Sequence, residues 1–167
     1  MDIIKALMAG AIVGLVAGLL GGALQVVGSI PILGFCVCMV QPLTWVLMWF
    51  LFPLAAGVAA IMMAKDSTTS IVDALIQGVI AGAVYAVVSW LIGFVVGIAL
   101  LVILQLVNVA TTNQNAGDII TGAIAALFVN IVGTLIGLAL VFVTGIFWGA
   151  VGGAAGSFLF KPNKAQK

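Results

Sequence analysis

The chain has 167 residues, of which 65% are hydrophobic and 5% charged, where soluble domains carry about a quarter of their residues as charges. Its five basic residues are all Lys, it has no His, and its formal net charge is +1; basic surfaces for nucleic acid, imidazole acid–base chemistry and His-ligated zinc or haem sites are excluded, and two cysteines make no disulfide framework. A mean hydropathy of +1.45, with residues 6–64, 74–117 and 119–160 free of charge, describes a chain whose solvent is mostly lipid.

The first apolar block, residues 6–27, is long enough to cross about 30 Å of hydrocarbon and longer than the core of a signal peptide, so a retained first span is expected. Within it Gly10, Gly14, Gly18 and Gly22 recur every fourth position. That step keeps them on one helix face. Because lipid tails are as apolar as Leu, helices in a bilayer associate through close backbone contact, which glycine permits. Such a groove fits a neighbouring helix of the same subunit, or a contact with another copy or another protein.

Residues 28–42 form an apolar connection with Pro31 and Pro42, read as an interfacial or re-entrant segment. Cys36, Cys38 and Met39 offer soft sulfur ligands of the kind that take Cu(I), but a C-x-C pair lacks the remaining ligands of a complete site. Ordinary packing or lipid-facing thiols are the simpler reading, and no metal or other cofactor is expected. Residues 43–64 then match one crossing and end at Lys65. Trp45, Trp49, Trp90 and Trp148 read as interface anchors and packing groups.

The third and fourth blocks, residues 71–107 and 119–160, would extend roughly 56 and 63 Å as continuous helices. Ser70 with Asp73, and Asn115 with Asp118, fit helix starts of the capping-box type; the alternative is a carboxylate holding a cation or proton at a pathway mouth. Gly78, Gly82 and Ala86 repeat the four-residue step in the third block. Gly145, Gly149 and Gly153 repeat it in the fourth, with Gly152 and Gly156 on an adjoining face. Gln25, Gln77, Tyr85, Ser89, Gln105, Asn130 and Thr134 are costly in hydrocarbon unless paired, so they are expected to face inward. Hydrogen bonds between helices are one use for them. A polar passage lined by Tyr85, Ser89, Asn130 and Thr134 is the other.

All five lysines lie at Lys5, Lys65, Lys161, Lys164 and Lys167, so the positive-inside rule places these positions on one cytoplasmic side and requires an even number of crossings between them. Four spans, 6–27, 43–64, 71–107 and 119–160, satisfy this. Six do so only if both long blocks are hairpins, yet the third has no Pro or paired-Gly turn, and a break at Thr144-Gly145 leaves too short a final segment. The expected fold is therefore all-α: a single polytopic domain, a transmembrane helical bundle over 1–167, in the cytoplasmic membrane with both termini cytoplasmic. A weak internal repeat aligns Ala9-Gly10-Ala11 with Ala81-Gly82-Ala83, and Leu19-Leu20-Gly21 with Leu91-Ile92-Gly93 and Leu135-Ile136-Gly137. Transporters often contain repeats, and so do bundles that transport nothing.

Pro31, Cys36, Cys38, Asp73 followed by Gly78 and Ala81-Gly82, and the closing Gly149, Gly152-Gly153 and Gly156 resemble small, uncharacterised, glycine-rich integral membrane proteins of bacteria and archaea. The resemblance covers most of the chain and implies four helices and a prokaryotic membrane, with no activity to transfer. Three function classes follow. The first is an accessory or scaffold subunit, whose partners are membrane lipids and other membrane subunits or itself. The second is a small-solute transporter or channel, possible as a homo-oligomer. An intramembrane enzyme comes last, because Tyr85 and Ser89 have no His or Lys within the membrane to activate them.

Overall fold

The computed structural model describes residues 2–28, 30–66, 70–111 and 116–160. In chain order these form α1 (Ile3–Gly28), α2 (Pro31–Val46), a π-helical turn (Leu47–Leu51), α3 (Phe52–Ala64), α4 (Ile71–Thr111) and α5 (Ala116–Leu159). The described residues contain no strand.

Local chemistry sets several of these boundaries. Asp2 starts α1: its carboxylate accepts from the Lys5 backbone N–H at 3.3 Å and pairs with Lys5 Nζ at 3.2 Å. Ser70 starts α4, its hydroxyl accepting from the Asp73 N–H at 3.1 Å, as the capping pattern requires. Asn115 and the side chain of Asp118 lie outside the described residues.

The connection expected over 28–42 is shorter than that. Ile30 is extended, and from Pro31 onward the backbone is helical. Pro31 sits in the first turn, where a missing N–H breaks no helical bond and the fixed φ favours the helix. Pro42 lies inside α2, and two positions later Thr44 Oγ1 donates to the carbonyls of Gln41 at 2.9 Å and Val40 at 3.1 Å. The second crossing is thus one continuous helical run from α2 through the π-turn to α3. Each of the two long blocks is a single helix, α4 of 41 residues and α5 of 44, so the hairpins that six spans would need are not formed. The helix passes through Thr144-Gly145, where Thr144 Oγ1 donates to Leu140 O at 2.9 Å.

Four stretches, Ile3–Gly28, Phe35–Ala64, Ile71–Leu104 and Leu127–Leu159, are long and apolar enough to cross a membrane, and they suggest a multi-pass membrane protein. α1 packs on α3 and α4; α3 also meets α4 and α5; α4 and α5 form an antiparallel pair; α2 rests on α1 and the π-turn. The core is built from small side chains. The buried stripe of α1 is Ala6, Ala9, Gly10, Gly14, Ala17, Gly18 and Gly22, while Leu19, Phe35, Val143 and Phe158 point outward. Inside small and outside large is what a lipid solvent selects, since contact between helices there comes from close approach rather than from excluding apolar surface from water.

Candidate functional site

The centre of the bundle is Tyr85, the only tyrosine of the chain and, at 1% exposure, the largest fully buried side chain among the described residues. Its hydroxyl donates to the carbonyl of Met48 at 2.6 Å. Hydrogen-bond accounting along the π-turn explains why that carbonyl is open. In an α-helix Met48 O would accept from the N–H of Phe52, but the Phe52 N–H donates to Leu47 O, one residue further back. In the π pattern Met48 O would accept from residue 53, and Pro53 has no N–H. The carbonyl left over points at α4, and Tyr85 takes it.

Around this point the helices touch through their backbones. A Cβ added at Gly10 would strike the carbonyl of Ala81; one at Gly14 would lie 2.9 Å from Tyr85 O, at Gly18 2.8 Å from Ile92 Cβ, and at Gly22 3.0 Å from a Val96 methyl. Contacts that rise together along both helices mean that α1 and α4 run parallel. The second face of α4, Gly78 and Gly82, meets Gly145, Gly149 and Gly153 of α5. Gly57 of α3 shares the Gly149 carbonyl with Gly78, Gly152 sits on Leu54, and Gly156 is 3.0 Å from Ile61 Cβ by the same construction. All seven glycines singled out from sequence, Gly10, Gly14, Gly18, Gly22, Gly145, Gly149 and Gly153, therefore lie against another helix of the same chain. Gly93, Gly133 and Gly137 have nothing within 4 Å of an added Cβ.

Of the four residues considered for a polar passage, Tyr85, Ser89 and Thr134 have described side chains. Tyr85 bonds Met48, and Ser89 Oγ donates to Ala86 O of its own helix at 3.2 Å. Thr134, partly buried, accepts at its carbonyl from Trp90 Nε1 at 2.8 Å, a cross-link between α4 and α5. The side chain of Asn130, like that of Gln105, lies outside the described residues. Gln77 is fully buried on α4, and Gln25 is exposed near the end of α1. Trp148 stands edge-on to Phe50 of the π-turn at 5.2 Å and to Phe147 at 5.3 Å, and Trp90 stacks on Phe94 at 5.3 Å.

Cys36 and Cys38 are both exposed on α2. Two positions apart on a helix point about 200° away from each other, so one chain does not bring both thiols to one ion. Among the described residues no group of three or more His, Cys, Asp or Glu side chains is placed to hold a metal. The π-turn and the Tyr85 bond escape a reading of side-chain types, because the acceptor is a backbone carbonyl; the pair Pro42 and Pro53 around a lone tyrosine's level is the signal that points to it. No protein-family model, curated protein or solved structure matches the chain.

Proposed function

We propose that this chain is a non-catalytic accessory or scaffold subunit of a membrane assembly, held in a prokaryotic cytoplasmic membrane with both termini on the cytoplasmic face. Its partners are membrane lipids and other membrane-protein subunits or further copies of itself; it uses no cofactor and binds no nucleic acid. The observation that carries this is the contrast between two sets of glycines. Those of the lysine-side half of the bundle are all against another helix of the chain, whereas Gly93, Gly133 and Gly137, in the outer halves of α4 and α5, face open space. In a bilayer glycine is a packing residue, so an open set is where a further helix would pack. The polar groups of the centre, Tyr85, Ser89 and Trp90, are engaged in bonds within the bundle, which leaves little chemistry for catalysis or for a solute path.

The test is native mass spectrometry of the tagged protein extracted gently from its own membrane with lipids retained. Stoichiometric foreign subunits are expected. Recovery as a monomer or a closed homo-oligomer would overturn the accessory role in favour of a small-solute transporter or channel, to be followed by uptake assays.

A further inference from the structure

We propose that the Leu47–Leu51 π-turn is a rotary switch for α2, and that the Tyr85 hydroxyl is the latch that selects its π state. Two hydrogen-bond registers compete at this turn. In the π register Met48 O has no helical partner, whereas in a fully α-helical register Phe52 N–H would bond it. Pro53 supplies no N–H to either, and the residue inserted by the π register leaves one more carbonyl bare in an apolar interior than the α register does, so that count alone favours the α register. Tyr85 offsets the difference, because its hydroxyl reaches Met48 O at 2.6 Å and satisfies the carbonyl that the π register exposes. Leu47 stands ready at the boundary, its N–H shared between Leu43 O and Thr44 O.

The registers differ by one residue, which for a helix is a rotation of about 100° and a shift of about 1.5 Å. α3 is fixed by α1, α4 and α5, whereas α2, among the described residues, rests mainly on α1 and the π-turn, so α2 is the part that turns. In the latched state Val37 meets the end of α1, its Cβ 3.9 Å from a Cβ built on Gly28. Rotation by one residue puts a neighbour, Cys36 or Cys38, in that place. The switch thus decides which face of α2 is turned to the rest of the membrane, whether or not the chain is an accessory subunit.

The test is oxidative crosslinking in native-lipid nanodiscs, with products identified by peptide mass spectrometry. Gly28→Cys with Val37→Cys, in a Cys36→Ser, Cys38→Ser background, reports the latched state, since the separation suits a disulfide. Gly28→Cys with the natural Cys36 and Cys38 reports the rotated one. Tyr85→Phe is expected to raise the ratio of rotated to latched product about three- to tenfold, the effect of one net hydrogen bond. An unchanged ratio overturns the proposal. A loss of latched product with no gain of rotated product, as general loosening of the core would give, overturns it too.

Discussion

The Tyr85 hydroxyl and the Met48 carbonyl, 37 positions apart in sequence, form a hydrogen bond that closes a backbone gap opened at the π-turn of the second crossing. A side chain of α4 thereby completes the hydrogen bonding of a different helix. Removing only the oxygen is expected to lower stability by about 1–2 kcal/mol, the upper range for polar contacts between membrane helices, because the carbonyl it leaves has no water to turn to. Unfolding of Tyr85→Phe in mixed micelles titrated with a denaturing detergent measures this; stability equal to that of the parent would mean that the carbonyl finds another donor.

Ser70 gives a cleaner case, since its role is local. Its hydroxyl caps the first turn of α4 by accepting from the Asp73 N–H. Ser70→Ala is expected to cost about 1 kcal/mol and Ser70→Asp to restore most of it, as the acceptor returns and a negative charge meets the positive helix end. Loss in both variants would show that the serine matters for another reason.

At the start of α1, the Lys5 side chain and backbone N–H bond the Asp2 carboxylate and hold its pKa below the ordinary 3.8. A depressed acid adds stability that is complete above the ordinary value and is lost as pH falls through the lowered one. Amide exchange at Lys5 is therefore expected to stay slow at neutral pH, relative to its intrinsic rate, and to lose protection below about pH 4. Asp2→Asn removes that step from the profile. A step of the same size in the variant would assign it to another group.

How much of this was open to a reader of the sequence differs from residue to residue. Four long helices follow from charge-free stretches punctuated by Lys65, and the packing faces follow from glycines stepping by four. Both are properties of one helix at a time. The start of α2 was obscured because Pro31 and Pro42 look alike as breakers, although the first occupies a turn that needs no N–H and the second is carried inside the helix. The centre was hidden more deeply. Tyr85, Ser89, Asn130 and Thr134 are polar residues within the apolar blocks and invite a polar lining, yet Tyr85 and Trp90 choose backbone carbonyls as partners, and a backbone carbonyl leaves no mark in the residue types.

Gly149 and Gly137 lie on the same helix, three turns apart, and separate packing from propensity. A Cβ on Gly149 would meet the Gly78 carbonyl and come within 2.8 Å of Gly82 Cα, so α4 and α5 would have to move apart along their whole contact. A Cβ on Gly137 would meet nothing within 4 Å. Gly149→Ala is therefore expected to cost about 1–3 kcal/mol through overpacking, whereas Gly137→Ala in isolated protein gains up to about 1 kcal/mol of helix propensity. Thermal unfolding in detergent compares the two; equal effects would mean that α4 and α5 do not meet where Gly149 places them. Repeating the pair in native membrane adds a second reading. If Gly137→Ala is neutral or stabilising in detergent but weakens recovery of a co-purifying subunit, its open face is occupied in the membrane by another helix, and the cost of the methyl group is then a property of the assembly rather than of the chain.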